Sequence, residues 1–457
     1  MKHLHSLVLA ITLLAGGVSV ATAQDFYKGL EAFNAGDYQT ALQEWQPLAD
    51  QGDTRAQYIL GVMYDTGQGV PQDYAEAVRW FQLAADQGFA SAQYNLGVMY
   101  EKGKGVLQDY AEAVRWFRLA ADQGDAFSQF HLGVMYGNGR GVPQDYAEAV
   151  RWYRLAADQG DDDAQYNLGS MYENGLGIPQ DYAEAVRFYR LAADQGFARA
   201  QYNLGVMYAN GQGVLQDYAE AVRLYRLAAD QGDVFAQFNL GNMYNLGQGV
   251  IQDYAEAEKW YRLAAEQGWA DAQYKLGRMY ISGNGVPQDY AEAARWFRLA
   301  AEQGIAPAQG GLALMYYNGE GVPQDYADAE KWYRLSAEQG DAYAQYSLAL
   351  MYMNGQGVIQ DYAEAEKWYR LAAEQGWADA QYNLGVMYGR GEGVLMSIVI
   401  SHMWFDIASA NGHPRSGEGT DAMAMLMSQA DISKAQKMAR ECMSSNYQNC
   451  GYWGANQ

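Results

Sequence analysis

Histidines, clustered acids and glycine-rich turns are the features of this chain whose types and spacing suit chemistry. His131 stands alone in mid-chain, and His402 and His413 lie near its end. Zinc chemistry needs a dense ligand set or a His-Glu-x-x-His run, and neither is present. QGDDDAQY, Gln159 to Tyr166, suits a helix cap or a cation, but it lacks the alternating oxygen ligands of a calcium loop. GNGRGV, Gly137 to Val142, is glycine-rich without the lysine-serine or lysine-threonine end of a phosphate loop. Carboxylates such as Asp86 and Asp122 recur at a fixed interval, as solvated helix ends do. No catalytic residue, metal or cofactor is expected from these patterns, and the chain reads as a non-enzyme.

The interval organises everything else. DYAEAVRWFQLAADQG begins at Asp73, and close copies begin at Asp109, Asp145, Asp181, Asp217, Asp253, Asp289, Asp325 and Asp361, a spacing of 36 residues. Each period contains two helical signals. In SAQYNLGVMY, Ala92, Leu96, Met99 and Tyr100 recur at three- and four-residue steps. Gly97 interrupts that face, as glycine does where a neighbouring helix comes close. Asp73 is placed to cap the second helix, with Glu76 completing a capping box and Arg79 offering an exposed ion pair. Ala77, Trp80, Phe81 and Ala84 form its apolar face, and Gly88 stops it. One such pair cannot bury its aromatics alone, so an all-α solenoid of stacked antiparallel helix pairs is expected.

Both ends differ from the middle. MKHLHSLVLAITLLAGGVSVATAQ has a basic start, a short apolar stretch and an Ala-Thr-Ala site, predicting a signal peptide over residues 1–23 and an exported chain, periplasmic or secreted. Residues 24–56 form a shorter unit, with Gly29, Gly36, Tyr38, Ala41 and Trp45 in tetratricopeptide-like spacing. The main array spans 57–411, and 412–457 supplies a capping helix in QADISKAQKMAREC, with Met423, Met425, Met427 and Met438 as core filler. Cys442 and Cys450 are the two cysteines, and in an oxidising compartment a disulfide between them is expected. With 54 acidic and 31 basic residues the formal charge is -23, which disfavours nucleic acid and anionic membranes as partners. No later stretch reaches spanning length, and a monomer is expected.

The copy AQYNLGSMYENGLGIPQDYAEAVRFYRLAADQG, Ala164 to Gly196, resembles the Sel-one-like repeat, and the resemblance covers about Gln57 to Asn411. It implies a right-handed superhelical adaptor related to tetratricopeptide proteins. Exported bacterial members include polysaccharide scaffolds, flagellar-motor components and proteins that engage host factors, so an envelope or host protein partner is implied. Some cysteine-rich members are associated with β-lactams, but their cysteine pair within each repeat is missing here. Alternative roles are a carbohydrate- or cell-wall-associated assembly component and, more remotely, a cell-wall or β-lactam-acting enzyme.

Mapping the tetratricopeptide pattern through Gly97 places residues 91, 94, 98, 101 and 102 toward the concave face. An aromatic recurs there at Tyr94, Phe130, Tyr166, Tyr202, Phe238, Tyr274, Tyr346 and Tyr382, suiting either a binding ladder or interhelical packing. Specificity belongs where repeats vary. Asn242 and Arg278 replace the valine of Val98, Leu314 and Leu350 continue that column, and Ile281, Tyr317 and Met353 vary beside it. Gly310 removes one ladder ring, and Pro307 adjusts a helix start, which reads as a local bend or as drift. Partner binding is therefore expected over residues 238–354, with Phe238, Asn242, Tyr274, Arg278, Ile281, Leu314, Tyr317, Tyr346, Leu350 and Met353 as candidates.

Overall fold

The computed structural model describes residues 20–447 and 450, with side chains from Phe26 onward. The expected signal segment therefore lies outside the described residues, except that the backbone from Val20 already belongs to the helix Val20–Asn34. Every regular element among the described residues is an α-helix. The chain divides into two compact units, residues 1–233 and 234–457. The first holds the short N-terminal helix pair followed by repeated pairs; the second holds repeated pairs and the C-terminal cap.

One repeat shows why the sequence folds this way. Thr54–Thr66 and Tyr74–Asp86 are its two helices. Gln87 Nε2 donates to Gln57 Oε1 at 2.7 Å, Gly61 faces Phe81, and the Asp73 N–H donates to the Tyr64 carbonyl at 3.0 Å. Those pairings run in opposite directions along the two segments, so the helices are antiparallel. Asp73 caps as expected, its carboxylate accepting from the N–H groups of Ala75 and Glu76. The expected reciprocal half of the box is absent. Glu76 pairs with Arg79 at 2.8 Å, because the Asp73 N–H already has the Tyr64 carbonyl. Ala77, Trp80, Phe81 and Ala84 are all buried.

Two kinds of glycine have separate reasons. A Cβ on Gly97 would lie 2.7 Å from the Phe117 ring, so the first helix meets the second-helix aromatic with no side chain between. Gly177 sits at φ +69° with the Tyr146 carbonyl carbon 2.3 Å from where a Cβ would stand. There the loop of one repeat lies against the start of the preceding second helix.

The repeats are stitched by glutamine. Gln93, Gln129, Gln165 and Gln201 are each 4% exposed in the first unit. Gln165 Nε2 donates to the Ala157 carbonyl of the preceding repeat at 3.2 Å, and its Oε1 accepts from Gln195 Nε2 of its own repeat at 2.9 Å. In the second unit Gln273, Gln309 and Gln345 make the same two bonds. Each buried amide thus adds a second hydrogen bond to a helix C-terminal carbonyl, as at Ala157, which also accepts from the Gly160 N–H at 3.0 Å, and stays satisfied itself. A second tie runs from arginine to tyrosine across successive repeats, as in Arg154 to Tyr172 and Arg190 to Tyr208.

The ends are closed differently. In the first unit Trp45 packs over Gly29 and donates to the Phe26 carbonyl. In the second, Asn411 takes the place that Gln195 and Gln375 hold after their second helices, donating to Gln381 and accepting from the Tyr447 hydroxyl. Tyr447 is held near by the Cys442–Cys450 disulfide, and the Cys450 carbonyl accepts from Arg370. The cap contains two helices, Ser416–Ala424 and Gln429–Ser444. Met438 is buried there, but Met425 is 85% exposed and is no core filler, because the chain turns out to solvent between those helices.

Replacing Gln165 by Leu removes its two hydrogen bonds, while the Ala157 carbonyl keeps the Gly160 N–H and the Gln195 amide keeps the Gly160 carbonyl. At about 0.5–1.5 kcal/mol per bond the loss in urea unfolding should be about 1–3 kcal/mol. In a nearest-neighbour array, hydrogen exchange should rise mainly in the repeats flanking that position. Gly160, at φ +94° with open space around it, separates conformational from steric cost. Gly160→Ala should lose only the left-handed penalty of about 1–2 kcal/mol. Gly177→Ala should lose that and a further overpacking cost of about 1–3 kcal/mol, read from the same denaturation curves.

Candidate functional site

The ladder aromatics lie on the first helices, and each rests on a second-helix ring of its own repeat. In the first unit Tyr94 packs on Phe117 at 6.0 Å, Phe130 on Tyr153 at 5.9 Å, Tyr166 on Tyr189 at 5.7 Å and Tyr202 on Tyr225 at 5.9 Å. In the second unit the pairs are Phe238 with Tyr261, Tyr274 with Phe297, Tyr346 with Tyr369, and Tyr382 with Phe405. All eight are half-buried. One face of each ring therefore serves packing while part of it stays accessible. Tyr58 holds the same position in the first repeat, against Phe81, and belongs to the ladder although the spacing argument began at Tyr94. Burial pushes Tyr94 up to about 12, with Asp125 and Glu101 adding to it, so the phenol remains a donor at neutral pH.

The variable positions of the second unit are arranged along helix faces rather than gathered into one pocket. Arg278 is exposed and lies over the Tyr274 ring at 6.0 Å. Asn242 accepts from the Tyr261 hydroxyl at 2.7 Å, which ties it to the adjacent helix. Tyr317 donates to Gln356 at 2.9 Å and meets the edge of Tyr326. Ile281 packs beside the Phe297 core; Leu314, Tyr346, Leu350 and Met353 pack against the core that reaches the C-terminal cap.

At Gly310 the ladder ring is missing, yet Ala306–Asn318 keeps thirteen residues and the usual left-handed Gly319 cap. Pro307 sits in its first turn, where it interrupts no intrahelical bond. Ser336 donates to the Ala306 carbonyl, and Tyr343 of the following repeat packs on Tyr333 at 6.3 Å. The gap is thus furnished by neighbours.

A feature outside the spacing argument concerns how the first helices begin. Some are capped by aspartate, as by Asp125, Asp161 and Asp341. Others begin after Phe89, Phe197, Trp269, Ile305 or Trp377 and have no side-chain cap. A missing cap costs about 1 kcal/mol. The aromatics offset it by packing on the previous ladder ring, Phe89 on Tyr58 at 5.0 Å and Phe197 on Tyr166 at 5.2 Å. An aromatic where a capping residue belongs is a signal the sequence does carry.

The structure places each of the three histidines beside an acid. His131 Nδ1 lies 3.4 Å from Glu101 while the imidazole stacks on Phe117; its hydrogen bond holds Glu101 below the usual carboxylate range. His402 is buried, 3.1 Å from Asp406, and burial raises that carboxyl. Asp406 also lines an open cavity of about 490 Å³ with Ser409, Gln436 and Arg440. His413 stacks on Tyr382 with Ser416 Oγ 2.9 Å from Nδ1 and Asp379 3.6 Å from Nε2. That order imitates a nucleophile, base and acid, but Ser416 is fully buried and no substrate reaches its hydroxyl. Among the described residues no three His, Cys, Asp or Glu side chains gather as metal ligands, and no helix is long and apolar enough to cross a membrane.

Ten consecutive segments, from 54–89 to 378–413, match the Sel1 repeat, so the array begins at the helix starting with Thr54, slightly before the sequence boundary. A protective antigen present in uropathogenic Escherichia coli strains, with an SLR fold, is 36% identical, superimposes with a TM-score of 0.83, and covers 97% of this chain and 96% of its own. A Sel1 repeat protein from Oxalobacter formigenes is 37% identical with a TM-score of 0.55, over 70% of this chain and 93% of its own. Among curated proteins there is no match. Sel1 repeat proteins are generally protein-interaction scaffolds and typically not enzymes. With ten matched repeats and the same helix-pair solenoid, this chain belongs to the Sel1 repeat family.

Proposed function

We propose that this chain is an exported, non-enzymatic scaffold that binds a protein partner along the first-helix faces of its repeats. The observation that carries this reading is the division of labour in each repeat. Core, second-helix caps and glutamine bonds recur almost unchanged, while residues on the first-helix face, such as Asn242, Arg278 and Leu314, differ from repeat to repeat. A surface that varies on a fixed frame is what selective recognition requires. The half-exposed aromatics beside those residues supply contact area at low entropic cost.

Export is supported by the leader-like first 23 residues and by the disulfide, which persists in oxidising compartments. The similar E. coli protein is described as a protective antigen, and an exported location accords with that description. N-terminal sequencing of the chain recovered from the native envelope or medium should begin at Gln24. A start at Met1 in the cytoplasm would overturn the export reading.

Residues 24–457, used as bait against native envelope extract and host secretions, should capture a saturable protein partner. Hydrogen exchange of the complex should show protection on first-helix segments such as 270–282 and 342–354. Protection confined to second helices would move the interface, and retention by purified glycan with no protein captured would replace the reading by the carbohydrate-associated one.

A further inference from the structure

A longer period runs inside the 36-residue one. Residues 247–274 and 355–382 both read GQGVIQDYAEAEKWYRLAAEQGWADAQY, an offset of three repeats, and both lie in the second unit. Ahead of each stretch stands an exposed aromatic in the same register, Phe235 at 44% and Tyr343 at 37%. Within it, Trp269 and Trp377 occupy the cap position that aspartate fills elsewhere. Phe235 meets the Trp269 indole edge-on at 4.9 Å, with Phe238 at 6.3 Å. Tyr343 meets Trp377 edge-on at 6.0 Å, with Tyr346 at 6.2 Å. The second unit therefore carries two matching aromatic shelves.

Charge distinguishes the shelves from an ordinary apolar patch. Asp271 and Asp379 follow each indole by two residues in the first helical turn, both exposed. Asp379 also raises the Tyr346 phenol after burial does, so its field reaches the shelf. On the next rungs the chain supplies its own cations: Arg278 lies over Tyr274 at 6.0 Å and Arg415 over Tyr382 at 5.9 Å. Guanidinium groups thus already sit against this ladder face. Among the described residues neither Trp269 nor Trp377 has a lysine or arginine over its ring. The shelves combine an indole, a neighbouring exposed ring and a carboxylate, the set that attracts an external cation.

We propose that the two shelves are equivalent docking points for one extended basic segment of a partner protein, each taking an arginine or lysine side chain over the indole with the aspartate as counter-charge. This deepens the scaffold reading and rests on it. Helix layers stack roughly 10 Å apart, so three repeats separate the shelves by about 30 Å. An extended chain covers that in about nine residues. The partner segment then carries two basic groups about nine residues apart, and joint engagement raises affinity without new contacts.

The test uses fluorescein-labelled peptides and residues 24–457 at near-physiological salt. One peptide has two Arg-Arg pairs separated by about nine glycine and serine residues; others have one pair, a three-residue spacer, or citrulline in place of arginine. The long-spaced peptide should bind at least about tenfold more tightly than the one-pair and short-spaced peptides, and the citrulline peptide should not bind. Trp269→Leu or Trp377→Leu should each reduce the long-spaced peptide to one-pair affinity, and the double variant should lose it. These changes preserve formal charge, so equal binding by wild type and double variant would reveal general attraction to an acidic protein and overturn the proposal. Should a tryptophan variant melt early, Asp271→Asn with Asp379→Asn replaces two exposed carboxylates, the second also 3.6 Å from His413 Nε2; an unaltered affinity there overturns it as well. A neutral oligosaccharide lost from the tryptophan variants but indifferent to salt and to those carboxylates would also overturn it. If the double variant still captures the native partner, the shelves fall while the scaffold reading stands.

Discussion

A buried glutamine amide holds successive repeats together, and the remaining regularities of the chain depend on it. Helix C-termini leave carbonyls without intrahelical partners, and a solenoid buries one such end at every repeat. Gln165 answers the Ala157 carbonyl with its amide N–H and gives its own oxygen to Gln195. An aliphatic residue would fill the space but forfeit both bonds across the repeat, leaving the Ala157 carbonyl to the Gly160 N–H and the Gln195 amide to the Gly160 carbonyl. A charged residue would face a desolvation penalty with no counter-ion at hand. The amide is neutral, bifunctional and long enough to reach across the repeat boundary. Within each repeat a separate device closes the helix pair, Gly97 and its counterparts meeting a second-helix aromatic ring with no side chain between.

With the frame set this way, stability can be yielded locally. Trp269 and Trp377 stand where Asp161 and Asp341 cap their helices. Packing against Phe238 and Tyr346 recovers part of what a lost cap removes. In a compact domain such an exchange is absorbed by one core. In a nearest-neighbour array each repeat tolerates it separately, so positions at the edge of the first-helix face are free to diverge, while the glutamine recurs and the helix-contact glycine gives way only to the small Ala313 and Ala349. Gly310 shows the same freedom: a ladder ring is missing, and Ser336 and Tyr343 from other elements occupy its surroundings.

Much of the fold was legible because period and turn chemistry agree. The 36-residue recurrence, Asp73 before its helix and Gly88 after it mark elements that the structure places at Tyr74–Asp86 and its counterparts. Local rules failed where a tertiary partner competed. Glu76 was read as half of a capping box, but the N–H it would have served belongs to the Tyr64 carbonyl of the other helix. Met425 fits an apolar pattern and nevertheless points to solvent, since nothing in sequence says where the chain turns between the cap helices. The glutamines were invisible as structure because polarity alone assigns them to the surface; only the bonded pair explains their burial. The candidate site was legible as a set of positions, not as contacts. Arg278 over Tyr274 and Asn242 beneath Tyr261 arise from side chains brought together by packing that spacing does not specify.

The histidines show how packing determines whether reactive side chains have access to chemistry. His413 has a serine hydroxyl and a carboxylate at its two nitrogens, yet its ring lies flat on Tyr382 at 4.1 Å and the serine is sealed beneath it. His402 is shut inside the last helix pair with only Asp406 reaching toward solvent. His131 is wedged among Phe117, Phe130 and Tyr94. Catalysis asks for a reactive group poised before an accessible space; aromatic packing crowds His131 and His413, and burial encloses His402. The groups exposed on the first-helix faces include rings, amides and carboxylates, which suit recognition. A frame repeated through buried amides multiplies such surfaces without having to build a pocket, and it is this economy of construction that suits the chain to holding a partner.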